Sequence, residues 1–190
     1  TATPSPTPTV IPTPTPTPTP EPPKPVTALT GFEIPRFGVS SAIELIGMLP
    51  GNQLDSPHNP HNTGWYSIFD APGVPGNAVF AAHVDYYPNI KGPFNQLSQL
   101  RAGEQVMLDA DSGQLVYEVV SNKRYTVYDI PMSEVIWPTT RPAEEQWITL
   151  ITCGGTIIRP SPNQPGTTPT GTSSSRSGSP DSRVGHPMTR

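Results

Sequence analysis

The sequence has few charged, aromatic or apolar residues and a single cysteine. Of its 190 residues, 14% are charged, 7% aromatic and 33% apolar, and the formal net charge is −4. Proteins that bind nucleic acid by neutralising phosphates are usually basic, so a nucleic-acid partner is not expected. No apolar run reaches the ~18 residues that span a bilayer. One cysteine excludes an internal disulfide. With four scattered histidines it gives no zinc-ligand spacing, so neither a metal nor a cofactor is expected.

The apolar residues are concentrated in the middle of the chain, which predicts three regions. Residues 1–27 are Thr/Pro-rich and favour extended polyproline II, either as a stalk of roughly 75 Å or as a disordered linker. Residues 28–158 are long enough for one domain with a core. Residues 159–190 contain only Val184 and Met188 from the apolar set, so a disordered low-complexity tail is expected.

The central region reads as an all-β domain with one or two short helices. Short apolar segments are separated by Gly, Pro and Asp turns, and about seven strands of this kind predict an antiparallel β-barrel or sandwich. The clearest strands are the runs NAVFAAHV at 77–84 and WITLIT at 147–152. Segments 95–100 and 132–135 are the candidates for helical turns.

Two residues stand out as candidates for nucleophilic chemistry. Cys153 follows the WITLIT strand and precedes two glycines, which leave the backbone open to a substrate; the alternative is a small buried hydrophobe. His83 lies within the other apolar run, where a core histidine is the alternative. A cysteine nucleophile needs a base or cation that favours its thiolate, and His83 is the histidine on a regular element. Asp85 is either an orienting carboxylate or a turn residue. The histidines of the SPHNPHN loop, His58 and His61, are interpreted as solvated loop residues.

Several motifs together resemble the sortases, a family of cysteine transpeptidases, and most closely their class F-like group. The matching segments are EIPRFGV at 33–39, HNTGWYS at 61–67, PGVPGNAVFAAHVDY at 72–86, GPFNQLSQLRAGEQV at 92–106 and ITLITCGG at 148–155. The family signature is a strand reading Thr-Leu-x-Thr-Cys with a histidine about seventy positions upstream. Cys153 and His83 match both features. The resemblance implies the sortase-like antiparallel β-barrel.

The resemblance also implies an activity and its partners. Cys153 is the expected nucleophile, which cleaves an LPxTG-like sorting signal on a protein substrate through a thioacyl enzyme. His83 is the expected general acid/base. The acyl group passes to an amine, from a cell-wall peptide or a pilin lysine, or to water. A monomer at a bacterial cell surface is expected, outside the cytoplasm and anchored through an N-terminal segment beyond this sequence. The alternative is a catalytically impaired sortase-like barrel that binds peptide or serves a structural role.

The sequence departs from the sortase pattern after Cys153. Sortases carry an Arg on the strand that follows the Cys strand, and here the composition predicts that this terminal strand is missing. Arg159 is a weak candidate for the Arg role, which is otherwise unassigned. One interpretation is a frameshift within the tail: a shifted reading frame permits an Arg at the position of Gly171, followed by an apolar strand. The other is a genuine low-complexity tail.

Overall fold

The computed structural model of the chain describes residues 26, 28–125, 129–153 and 179–187, the last of these as backbone. Most of the Thr/Pro-rich segment and the proposed frameshift region therefore lie outside the described residues. Val26, which the prediction assigned to the stalk, is buried at 8% exposure. The packed domain thus includes at least this residue of the 1–27 segment.

Within these ranges the chain forms twelve strands, one α-helix and two 3₁₀ turns, which confirms an all-β fold with short helices. The strands are β1 Leu29–Ile34, β2 Val39–Ile46, β3 Met48–Leu49, β4 Gln53–Leu54, β5 Thr63–Tyr66, β6 Gly76–Ala81, β7 Asp85–Tyr86, β8 Ile90–Lys91, β9 Gln105–Ala110, β10 Gly113–Tyr125, β11 Gln146–Ile151 and β12 Ser179–Pro187. Helix α1 spans Met132–Ile136, and the 3₁₀ turns span Pro35–Phe37 and Leu97–Gln99.

Eight of the described strands close into a barrel in the order β1-β2-β5-β6-β11-β12-β10-β9. Most neighbours run antiparallel, as predicted, but β2 pairs with β5 and β6 pairs with β11 in parallel. Two small ribbons, β3–β4 and β7–β8, lie beside the barrel. The parallel β6–β11 pair matters for function, because it brings the carboxyl ends of both strands to the same edge of the sheet.

The terminal strand is present, which corrects the prediction that it is missing. The backbone of β12 pairs with β10 along one edge and with β11 along the other. The prediction relied on side-chain composition, and the Ser/Pro/Arg sequence of 179–187 has little apolar area to bury. Backbone N–H and C=O groups at two open strand edges can pair with almost any extended segment, whatever its side chains. Within the predicted 159–190 tail, residues 179–187 thus form a strand, and the other residues lie outside the described ranges.

Alternating side chains of β6 and β11 supply two separate clusters of buried residues. Ala78 and Phe80 of β6 point into the barrel, together with Ile148 and Leu150 of β11. The interior is filled by aromatic and aliphatic residues from the other strands, including Phe32, Phe94, Leu97, Val106, Leu108 and Tyr117. This division follows from the two-residue period of a strand, in which successive side chains face opposite sides of the sheet.

The second cluster lies on the outer face of the same two strands. Val79 and Ala81 of β6 pack there with Ile46, Tyr66 and Ile136, the last contributed by α1. Because α1 covers this face, both faces of the β6–β11 pair are buried along most of their length. This explains why the two strands appear in the sequence as nearly continuous apolar runs.

Helix α1 is attached to the barrel by a buried polar network. The Asn77 side-chain amide donates to the carbonyl of Ile136 at 2.8 Å, and Thr149 Oγ1 donates to Asn77 Oδ1 at 3.0 Å. Both side chains are almost fully buried. The bond from Asn77 satisfies the carbonyl of the last residue of α1, and the two hydrogen bonds fix α1 over β6 and β11.

Candidate active site

The register of the parallel β6–β11 pair determines which residues meet at the carboxyl ends of the strands. Ala81 is paired with Ile151 at the last position of both strands. The backbone pairing continues for one more residue, because the Ala82 N–H donates to the Ile151 carbonyl at 3.4 Å, and Thr152 Oγ1 donates to the Ala82 carbonyl at 2.6 Å. The next residues are His83 and Cys153. Neighbouring strands lie about 4.8 Å apart, and paired residues share a face, so the two candidate residues emerge side by side.

The structure places both candidates on the walls of a single cleft. Cys153 is exposed, and His83 is partly buried. The cleft is lined by these two residues and by Ser56, Pro57, Ala81, Ala82, Ile151 and Thr152. Cys153 and His83 thus lie just beyond the carboxyl ends of two adjacent parallel strands.

The His83 ring is held by a backbone carbonyl. Its Nε2 lies 2.9 Å from the carbonyl oxygen of Pro57, and the ring of Tyr86 packs against it edge-on at 5.2 Å between centroids. Asp85, weighed as an orienting carboxylate, is an exposed residue of the β7–β8 ribbon, where its backbone lies opposite that of Lys91. A carbonyl oxygen only accepts hydrogen bonds, so Nε2 carries a proton. Nδ1 is the other ring nitrogen and is not engaged by this contact.

The backbone around His83 is fixed by the turn that follows the β7–β8 ribbon. The N–H of Phe94 donates to the His83 carbonyl at 3.1 Å, and the N–H of Gly92 donates to the Val84 carbonyl at 3.0 Å. The Asn95 side-chain amide also donates to the Val84 carbonyl, at 3.0 Å. The GPFN sequence at 92–95 thus holds the backbone of His83 and Val84 through hydrogen bonds to their carbonyl groups.

Tyr66 lies close enough to the cleft for a negative charge on Cys153 to affect the pKa of its hydroxyl. Burial, with contributions from the negative charges of Asp55 and Cys153, raises the pKa of Tyr66 well above its usual range. The hydroxyl therefore stays protonated and donates to the Asp55 carbonyl at 2.5 Å. This contact fixes the start of the loop that carries Ser56 and Pro57. The GWYS sequence at 64–67 is the signal that marks Tyr66, although the sequence did not show what it contacts.

The loop histidines differ from each other. His61 is exposed, as its Pro/Asn-rich loop predicts. His58 is also exposed, but its Nδ1 lies 2.8 Å from Glu44 Oε1, so it is an ion-pair partner and more than a solvated residue. The hydrogen bond to Glu44, with the negative charges of Asp55 and Glu44, raises the pKa of His58 above its ordinary value. Within the described part of the chain, no group of three or more His, Cys, Asp or Glu side chains is placed to hold a metal ion.

The structure does not supply an Arg next to Cys153 from the described residues of β12. Arg183 pairs with Thr149, four residues before Cys153, which corresponds to about 13 Å along an extended strand. Arg159, the weak candidate from the sequence, lies outside the described residues. The third residue of the site therefore remains unassigned.

A match to a family model identifies the class of protein to which the chain belongs. The sortase-domain family model matches residues 32–164, which include both Cys153 and His83. The chain belongs to the sortase family. No curated protein sequence matches the chain.

Solved sortase structures share the fold. Sortase C1 of Streptococcus agalactiae has a TM-score of 0.57 and 18% identity, over 84% of this chain and 67% of that one. Streptococcus pneumoniae sortase C gives 0.58 and 17%, over 84% and 67%. Sortase A from Corynebacterium diphtheriae gives 0.58 and 17%, over 87% of this chain but only 62% of its own length. At these identities the likeness supports the barrel architecture and nothing finer. Among the described residues of this sortase, no helix is long and apolar enough to cross a membrane.

Proposed function

We propose that this sortase is a cysteine transpeptidase with Cys153 as nucleophile and His83 as general acid/base. The observation that carries the proposal is the parallel register of β6 and β11, which brings the two side chains to one cleft. An exposed thiol beside an imidazole is the arrangement that nucleophilic cysteine catalysis requires. The substrate is a protein with an LPxTG-like sorting signal, cleaved between its Thr and Gly.

The reaction proceeds in two acyl-transfer steps. The Cys153 thiolate attacks the Thr carbonyl carbon, backbone N–H groups stabilise the oxyanion, and the Thr–Gly C–N bond breaks as the leaving amine takes a proton from His83. This leaves a thioester between the substrate and Cys153. An incoming amine then attacks the thioester carbonyl, His83 removes its proton, and the C–S bond breaks to regenerate the thiolate. Water in place of the amine gives hydrolysis.

The same proposal covers the partners and the place of action. The acceptor amine comes from a cell-wall peptide or a pilin lysine; among the structural neighbours, the Streptococcus pneumoniae sortase C structure provides insights into pilin substrate specificity. The enzyme acts as a monomer at a bacterial cell surface, and the Thr/Pro-rich segment that precedes Val26 spaces the domain from its anchor. Within the family we propose the class F-like group, which the segments at 33–39, 61–67 and 72–86 resemble.

The test is incubation of the full chain with an LPxTG-like peptide and triglycine, followed by mass spectrometry. We expect a thioester adduct on Cys153 and a peptide–triglycine product. Cys153→Ala should abolish the adduct. His83→Ala should lower the rate by about 10²–10⁴, the usual loss for a positioned proton shuttle.

The matched control is His61→Ala, which removes an exposed histidine outside the cleft. An adduct that persists in Cys153→Ala, or a His83→Ala rate equal to that of the control, contradicts the assigned roles. Peptide binding without cleavage by the unmodified chain supports the alternative of a catalytically impaired barrel.

A further inference from the structure

The loop of residues 55–62, here called the His58 loop, supplies the carbonyl that binds the His83 ring. Pro57 is buried in this loop, and its oxygen lies 2.9 Å from His83 Nε2. The loop has no strand or helix of its own. The position of the Pro57 carbonyl must therefore be determined by what holds the loop to the barrel.

One carboxylate makes most of that attachment. Glu44, on β2, accepts hydrogen bonds at Oε1 from the His58 N–H at 3.0 Å and from the His58 ring at 2.8 Å. Its Oε2 accepts from the Asn59 N–H at 3.3 Å and from the Asn62 side-chain amide at 3.2 Å. Four donors from three loop residues thus converge on one side chain, which is 20% exposed.

The pKa of Glu44 agrees with these four hydrogen bonds. Burial alone raises the pKa of the carboxyl, but the hydrogen bonds from His58, Asn59 and Asn62 outweigh it and hold the pKa of Glu44 at about 2. The group is therefore ionised at every pH at which the enzyme is expected to work. Hydrogen bonds to an ionised acceptor are about twice as strong as neutral ones.

We propose that Glu44 is a positioning residue for His83. It holds the His58 loop so that the Pro57 carbonyl keeps a proton on Nε2 and leaves Nδ1 for the proton transfers of catalysis. This inference rests on the proposed role of His83. A hydrogen bond to one nitrogen of an imidazole determines which nitrogen carries the proton and how the ring is oriented, and the Pro57 carbonyl makes such a bond to His83. Glu44 itself touches neither Cys153 nor, on the proposed mechanism, the reacting atoms.

The primary test is Glu44→Gln. The amide nitrogen of Gln would face the Asn59 N–H and the Asn62 amide, both donors, so the loop should lose its anchor while side-chain volume is kept. We expect kcat to fall about tenfold to a hundredfold, as for a misplaced catalytic group, with little change in KM. The control is Glu144→Gln, an exposed glutamate before β11, at the strand end opposite Cys153.

A second readout does not depend on turnover. Nitrogen NMR of the His83 imidazole at alkaline pH, assigned by comparison with His83→Ala, reports which nitrogen is protonated. The unmodified chain and Glu144→Gln should show the Nε2–H form, and Glu44→Gln should show a mixture of tautomers. A change of tautomer in a protein with no transfer activity would refute the proposed function and leave the positioning role intact.

A milder variant covers the case in which Glu44→Gln does not fold. His58→Ala removes one of the four hydrogen bonds through a ring that is 77% exposed, and it keeps the backbone donor. It should shift kcat and the tautomer balance in the same direction, to a smaller extent. Unchanged tautomers and unchanged kcat in a folded Glu44→Gln, or in His58→Ala if the former does not fold, overturn the proposal.

Discussion

Gly92→Ala tests whether the 92–95 turn fixes the position of His83, the proposed general acid/base. A Cβ at position 92 would overlap the His83 carbonyl group, and it would lie 2.8 Å from the His83 Cβ. The obstacle is backbone, which cannot rotate away as a long side chain can. The turn and the His83–Val84 segment must therefore move apart, and this movement strains the hydrogen bonds that the N–H groups of Gly92 and Phe94 make to this segment.

The magnitude follows from these contacts. Overpacking of a tight site destabilises by about 1–3 kcal/mol. Loss of one backbone hydrogen bond adds about 1 kcal/mol. The sum, about 2–4 kcal/mol, corresponds to a fall in Tm of about 6–20 °C for a domain of this size. Because the displaced group is His83, the transfer rate should also fall at least about tenfold when it is measured well below the Tm.

The control is Gly47→Ala. A Cβ at Gly47 meets no atom within 4 Å, so this substitution should change stability by no more than about 0.5 kcal/mol. Thermal melts followed by circular dichroism, and peptide transfer followed by mass spectrometry, compare the two variants. The reasoning is refuted if Gly92→Ala and Gly47→Ala have the same Tm and the same transfer rate.

Three further predictions concern the attachments of the site. The pKa of Glu44 is about 2 in the fold and about 4.5 in the unfolded chain, so the free energy of unfolding should decline by up to about 3 kcal/mol as pH falls between these values. Urea unfolding of Glu44→Gln should lack this decline. His58 has a raised pKa in the fold, so its contribution is full below about 6.5 and is lost as pH rises through the folded value; the urea-unfolding pH profile of His58→Gln should lack that loss. Asn77→Ala should destabilise by about 1–3 kcal/mol and increase hydrogen exchange in α1, because the Ile136 carbonyl loses its partner, whereas exposed Asn89→Ala should not.

The sequence predicted the elements with strong apolar periodicity. The runs at 77–84 and 147–152 became β6 and β11, and the two short helical segments were also located. Strand β5, only four residues long, was missed because so short a segment has no readable period. Strand β12 was missed because its pairing is a property of the backbone edges of β10 and β11, which no composition can show.

The candidate site was only partly visible in the sequence. Cys153 and His83 were candidates from their sequence context, and the resemblance supplied their expected roles. The structure brings the two residues together, but the partner of the His83 ring is the main-chain oxygen of Pro57. Every residue has such an oxygen, so it leaves no mark in a sequence. Glu44 was equally hidden, because on an alternating strand a polar residue reads as a solvent-facing position whether or not a distant loop binds it.

The alternation of side chains along β6 and β11 builds the core and also brings Cys153 and His83 to the same face. In the observed register Phe80 and Leu150 face the interior, while Val79 and Thr149 face α1. A slip of β11 by one residue would turn Thr149 into the apolar interior and take its hydroxyl away from Asn77, leaving polar groups buried without partners. The same slip would move Cys153 one position along β6 and onto the opposite face from His83. The register that the apolar packing requires is therefore also the one that places thiol and imidazole together, so no additional interaction between the two residues is needed to align them.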